Sequence, residues 1–243
     1  MRRLALLCAL PLIAGCGDDA ARVQPASAAE EPPHFAAQRE RPAGPQGRWL
    51  TARILEPVRL RAAPGGRRLE RLTPRTEFGS RKVVSVLRRR GGWLQVVTPE
   101  RPNGRPGWLK ASRVHLGAVD VSIHVDRSAR RLTVRRDGRL VRRLPVAVGR
   151  PGTETPTGRF AITDKLRAQR ADSPYGCCAL ALSGHQPKLI PGWPGGDRLA
   201  IHATPHVESV GQAASLGCLR AATADMRVLM RRVPLGAPVF VSA

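Results

Sequence analysis

The stretch Ile201–Arg220, IHATPHVESVGQAASLGCLR, decides how the second half of this 243-residue chain is read. The apolar run Leu199-Ala200-Ile201 delivers His202, and fifteen residues separate it from Cys218 in Ser215-Leu216-Gly217-Cys218-Leu219-Arg220. A histidine and a cysteine that meet across a turn supply the base and the sulfur that nucleophilic catalysis by a thiolate requires. The turn leads toward a helix, where backbone N–H groups and the helix dipole favour an anion. The expectation is therefore a Cys218 thiol pulled below its usual value of about 8.5, further so beside a His202 imidazolium. The N–H groups of Gly217 and Cys218 are candidates for stabilising the oxyanion formed when sulfur attacks a carbonyl. Gly217 leaves space for that carbonyl to approach.

The helix follows directly. Thr223 is the expected N-cap and Asp225 lies in the first turn, where a carboxylate suits the dipole. Met226, Leu229, Met230 and Val233 recur at helical spacing, and Pro234 with Gly236 ends the element before a last strand, Val239-Phe240-Val241. Upstream the pattern is β. Val119, Val121, Ile123 and Val125 alternate, and Asp137-Gly138 between two alternating runs signals a two-residue hairpin. Val146-Ala147-Val148-Gly149 runs into the turn-rich segment Arg150–Gly158, and strands resume at Phe160 and at Cys177–Leu182. Residues 118–243 thus read as a mainly β domain with one helix.

Residues 48–116 carry short alternating runs (VRLRA, RKVVSVL, WLQVV) separated by Pro/Gly turns, the pattern of a small barrel. Trp93 and Trp108 read as barrel core ahead of a ligand platform. Residues 17–47 are rich in Ala, Pro, Glu and Gln without persistent period and read as a disordered tether. Residues 1–16 form a basic n-region, Arg2-Arg3, and an apolar stretch too short to span a bilayer, as in an export signal.

Composition narrows the partners. The chain has 41 basic and 18 acidic residues, a net charge of +23, which suits an anionic environment. One Tyr and four Phe are too few for base stacking, and with export this excludes nucleic acid. Of five cysteines, Cys8 and Cys16 lie in the signal, leaving Cys177, Cys178 and Cys218. That odd number leaves at least one thiol unpaired in an oxidising compartment. Cys177 and Cys178, adjacent on a strand, would point to opposite faces and are expected to pack rather than pair. His202 and His206 share a face only on a helix, and Pro205 argues against one, so no metal site is expected. His185 is expected in a solvated loop, Thr155–Gly158 as a fold-defining turn, and Arg88-Arg89-Arg90 as a solvated hairpin tip.

Three stretches resemble known families. Ile13-Ala14-Gly15-Cys16 resembles the lipobox of bacterial lipoproteins, which implies lipidation of Cys16 and a membrane anchor through more than one acyl chain. Val58–Arg61, Gly92–Val96 and Gly107–Leu109 resemble a bacterial SH3-type domain, which implies binding to the cell wall. Ile201-His202-Ala203-Thr204 and Ser215-x-Gly217-Cys218-x-Arg220 resemble the signature of L,D-transpeptidase (YkuD-type) catalytic domains. Gly149, Thr155-Pro156-Thr157-Gly158 and Phe160 resemble that family's upstream segment, and the ending at Val233–Val239 is similar too. Ala203 replaces a common glycine, and Leu216 a residue that is histidine in some members.

The resemblance implies that Cys218 attacks the carbonyl between the third and fourth residues of a peptidoglycan stem tetrapeptide. D-alanine leaves, and the thioester passes to an amine of a neighbouring stem. It implies His202 as base and acid, with its other ring nitrogen held by a carbonyl near Ala203 or by Ser215. Arg220 would hold a substrate carboxylate or brace the loop, and Tyr175 would line the cleft or pack at a strand start. No metal or organic cofactor is implied. Two other uses remain open: hydrolysis at the same site, as a carboxypeptidase or crosslink-cleaving enzyme, and a non-catalytic wall-binding lipoprotein. The expected location is exported, anchored to the membrane and facing the wall or periplasm.

Overall fold

The computed structural model describes residues 48–170, 172–190, 192 and 195–243. The expected export signal, Cys16 and the expected tether lie outside the described residues.

The first part is a seven-stranded antiparallel sheet. Its strands are β1 (Trp49–Arg53), β2 (Val58–Arg61), β3 (Arg68–Leu72), β4 (Val83–Arg90), β5 (Trp93–Val97), β6 (Gly107–Lys110) and β7 (His115–Val119), in the order β3-β2-β6-β5-β4-β1-β7. Alternation drives it. Leu60, Leu72, Val86, Leu94, Val96 and Leu109 are each fully buried in a core of their own. Trp108 is buried, while Trp93 is half-buried beneath Arg61 and Lys110, whose cations sit 5.9 and 5.7 Å from its ring. Ala118 and Val119 still pair with Leu50 and Trp49, so the change of sheet falls at Asp120, two residues later than the alternation suggests.

The second sheet has eight strands: β8 (Val121–Asp126), β9 (Arg131–Arg136), β10 (Arg139–Pro145), β12 (Gly158–Arg167), β13 (Cys178–His185), β14 (Arg198–Ala203), β16 (Leu219–Ala221) and β17 (Pro238–Ser242). Their order is β10-β9-β8-β17-β12-β13-β14-β16. The short strands β11 (Val148–Gly149) and β15 (Ala213–Ser215) pair in parallel beside it. Asp137 and Gly138 close the β9–β10 hairpin with φ of 49° and 76°, the left-handed pair a tight hairpin needs. The last strand inserts between β8 and β12, so the chain end completes the core.

The described residues contain one α-helix, α1 (Thr223–Arg232). Its buried Met226 and Leu229 share a cluster with Leu180, Leu182, Leu199 and Ile201, so it backs β13 and β14. The N-cap position belongs to Ala222, not Thr223, and no side chain caps it. Asp225 instead pairs with Arg142 of β10.

Cys177 and Cys178 are bonded to each other, contrary to the expectation from strand alternation. Only Cys178 belongs to β13; Cys177 lies in the turn before it, where faces do not alternate. Both still pack against the core. His185 also departs from its expected setting. It ends β13 half-buried, with its backbone held by Asn103 of the first sheet and its Nε2 at 2.7 Å from the Pro99 carbonyl.

Candidate active site

β14 and β16 run parallel, with Ile201 beside Leu219 and His202 beside Arg220. Ile201 and Leu219 are 0% and 1% exposed and point into the core. His202 and Arg220 therefore project from the opposite face, and Cys218 lies in the bend that leads into β16. The topology places an imidazole and a guanidinium side by side, and the Cys218 thiol feels the charge of Arg220 and in turn acts on Tyr175, which stands against His202.

His202 is buried, and its Nδ1 lies 2.5 Å from the Ala203 carbonyl oxygen. A carbonyl only accepts, so Nδ1 carries the proton and Nε2 keeps its lone pair. Burial, chiefly, and then the Arg220 charge lower the His202 pKa to about 4, against the opposing effect of the Ala203 bond. Cys218 is half-buried, its sulfur turned against β14, 3.8 Å from the Arg198 carbonyl. Burial pushes the thiol up; a hydrogen bond from the Ala200 N–H and the Arg220 charge pull it partly back.

This overturns the expected low thiol pKa. Cys218 opens onto the strand β16 and not onto a helix, since α1 begins only at Thr223. No helix terminus is therefore close enough to favour a thiolate, and desolvation wins.

The turn before Cys218 is held at every carbonyl. Thr153 Oγ1 donates to Ser215 O (3.2 Å) and Gln186 Nε2 to Leu216 O (3.0 Å). Thr155 Oγ1 donates to Gly217 O (2.8 Å), and Ser215 Oγ to Cys218 O (2.5 Å). Ser215 Oγ also accepts the Gly217 N–H at 3.1 Å, so it staples the turn, while Ala203 alone holds the histidine. Gly217 has φ of 117°, and a Cβ there would run into the Gln186 amide. Only glycine fits.

Tyr175 stands edge-on to His202, with ring centroids 5.0 Å apart at 81°. Burial and the neighbouring Cys218 raise its phenol pKa. Gly176 (φ 59°) seats the turn on Ala203, since a Cβ there would lie 2.7 Å from the Ala203 Cβ. Beside Tyr175 opens a cleft of about 530 Å³ lined by Leu166, Arg167, Pro174, Cys178 and Ala179 among others. His202, Tyr175, Ser215, Gly217, Cys218 and Arg220 thus come together. His206 does not; it sits exposed in a surface turn beside Glu208.

Gln186 and Thr153 were not legible as part of the site. Gln186 lies in an unpatterned loop, and no spacing rule links it to Leu216. Thr155 had a signal in its Thr-Pro-Thr-Gly turn, which shapes the fold and also holds the Gly217 carbonyl.

A strand-held histidine with a carbonyl-fixed tautomer and a cysteine in a braced turn ahead of the neighbouring strand mark this part of the molecule. The chain belongs to the L,D-transpeptidase catalytic domain family, whose model matches residues 120–241. YkuD of Bacillus subtilis (strain 168) is 32% identical over 124 residues, 51% of this chain and 67% of that protein. Among solved structures, an L,D-transpeptidase from Mycobacterium smegmatis shares 20% identity across 59% of this chain and 76% of its own, with a TM-score of 0.40. L,D-transpeptidase 3 from Mycobacterium tuberculosis, in complex with a faropenem-derived adduct, shares 19% across 62% and 68%, with a TM-score of 0.43.

Proposed function

We propose that the protein is an exported, lipid-anchored L,D-transpeptidase that cross-links peptidoglycan through a thioester on Cys218. The observation that carries this reading is the Nδ1–H bond from His202 to the Ala203 carbonyl. It leaves Nε2 unprotonated, ready to act as the base toward Cys218.

The stem tetrapeptide lies in the cleft beside Tyr175. His202 Nε2 takes the thiol proton as Cys218 attacks the carbonyl between the third and fourth stem residues, then gives it to the departing amine of D-alanine. The oxyanion is met by the Cys218 N–H, with the Gly217 N–H also engaged by Ser215. Because the four carbonyls of this turn are already bonded, its N–H groups need no reorganisation as charge develops. Arg220 offers charge to a substrate carboxylate. An acceptor amine then attacks the thioester, with His202 again accepting a proton. The reaction calls on no metal or organic cofactor. The lipobox at Cys16 anchors the chain to the membrane, the 17–47 tether spans toward the wall, and the first sheet serves as an SH3-like, wall-facing module.

Incubation with purified stem tetrapeptides, followed by mass analysis, tests this. The expected products are an amine-linked dimer and free D-alanine, both lost in Cys218→Ala and kept in the double variant Cys177→Ala/Cys178→Ala. Tripeptide without dimer would make the enzyme a hydrolase. Binding to sacculi with no Cys218 adduct would leave a non-catalytic wall-binding lipoprotein.

A further inference from the structure

The strand that carries His202 is gripped at its other end by the first sheet. We infer that Arg198, the residue gripped, is a positioning residue for the nucleophile. The inference rests on Cys218 being that nucleophile.

Arg198, Ala200 and His202 share one face of β14, with Leu199 and Ile201 buried on the other. The β13–β14 ladder is interrupted there. Ala181 pairs with Ala200 and the next pair is His185 with Arg198, so β13 has two residues more than β14 in the interval. Such a bulge leaves carbonyls without ladder partners. Arg198 fills the gap, its Nε and Nη2 donating to Leu182 O at 3.1 and 2.5 Å and its Nη2 to Thr163 Oγ1 at 3.0 Å.

The outer side of the guanidinium belongs to the first sheet. Its Nη1 pairs with Glu77, and its Cζ lies 5.7 Å from the Phe78 ring. The partner of Arg198 across the bulge, His185, is held by Asn103 at both its N–H (2.9 Å) and its carbonyl (2.6 Å). On the neighbouring strand β12, the buried Asp164, which pairs with Ala181, accepts a hydrogen bond from Thr76. The β3–β4 and β5–β6 loops of the first part therefore hold the bulge from both strands.

This matters for chemistry because the backbone of Arg198 borders the sulfur. Its carbonyl is 3.8 Å from Cys218 Sγ, and Ala200, two residues on, supplies the N–H beside it. The Arg198 side chain is only 12% exposed, while Glu77 is 54% exposed. An exposed ion pair adds little to stability. A guanidinium that loses its outer partners is free to pull β14 toward a new arrangement, and displacements near 1 Å at a nucleophile cost rate steeply. The first sheet thus acts on catalysis through Arg198, in addition to any binding to the wall.

The test follows acylation of Cys218 in the purified full-length protein by a carbapenem, read by intact mass over a range of inhibitor concentrations. Arg198→Ala is expected to lower the maximal acylation rate about tenfold, and Glu77→Gln/Phe78→Ala about threefold, with the half-saturating concentration within about twofold of wild type. Arg198→Lys, which restores charge and one donor, should recover part of the rate. A merely structural role would lower the unfolding midpoint and leave this rate alone. Rates within twofold of wild type in both Arg198→Ala and the double variant overturn the inference, as does a loss confined to half-saturation. If Arg198→Ala does not fold, the double variant, altered only at half-exposed positions, decides alone. Wild-type protein that takes no carbapenem on Cys218 would instead remove the proposed nucleophile, and this inference with it.

Discussion

Cys218 and His202 are both held as neutral groups. Burial lowers the imidazole pKa to about 4 and raises the thiol, so at neutral pH neither proton has moved. In the proposed mechanism the proton therefore moves during attack, in contrast to a standing thiolate–imidazolium pair. Alkylation of Cys218 by iodoacetamide should accordingly keep rising with pH through and above the ordinary thiol range of about 8.5. A plateau reached below pH 7 would show that the ion pair pre-exists. The carbapenem acylation rate should hold down to pH 5 and decline as His202 protonates near 4. His202→Gln should cost acylation about a hundredfold or more, since the base is lost while the turn stays bonded. Gly176→Ala tests the neighbouring wall: its Cβ would press on the Ala203 backbone, tilting Tyr175 off His202 and slowing acylation without touching either reacting group.

At the scale of elements, the catalytic turn depends on Thr155, whose hydroxyl accepts the Gly149 N–H at 2.9 Å and donates to Gly217 O at 2.8 Å. Thr155→Val keeps the shape and strands two buried backbone groups, a loss of about 1–3 kcal/mol for each group left unpaired. Urea unfolding should register that loss, acylation should slow, and Thr155→Ser should restore both. The same turn shows what a linear reading can see. Alternation located the strands, the helical spacing of Met226, Leu229 and Val233 located α1, and the His202–Cys218 spacing located the site. Periodicity reports burial, and these residues are distinguished by burial. It does not report which partner fills a hydrogen bond, so Gln186, Thr153 and Arg198 went unread; each acts on a strand or turn far away in sequence. The thiol pKa was misjudged for a related reason. The sequence placed a helix downstream of Cys218, but not the strand β16 that intervenes and takes the dipole out of reach. Cys177 was misread because the strand began one residue later than its apolar run.

At the scale of the molecule, two sheets with separate cores meet where Arg159 reaches Trp49, Ser85 and Val86, and a second neutral histidine lies behind Phe240. Arg159 lies 5.4 Å from both the Trp49 and the Phe240 rings, which touch each other, and His124 stacks on Phe240 at 4.9 Å. Burial, then the Arg135 charge, lower the His124 pKa to about 4. His124 and His202 thus bind protons far less readily folded than unfolded, where the value is about 6.5. Between pH 6.5 and 4 the unfolded chain carries more protons, so stability must fall as pH falls through that window and stay level above it. Most carboxylates titrate below about 4.5, which leaves the interval from 6.5 to 5 to the histidines. His202, almost fully buried, should account for the larger share, on the order of 2–3 kcal/mol by pH 4, and the less buried His124 for less. Urea midpoints should therefore be nearly level between pH 7.5 and 6.5 and drop at pH 5.5 and again at 5 in the wild type. The drop should be smaller in His202→Gln and nearly absent in His202→Gln/His124→Gln, and a wild-type midpoint that stays flat across the interval would contradict burial of both as neutral groups.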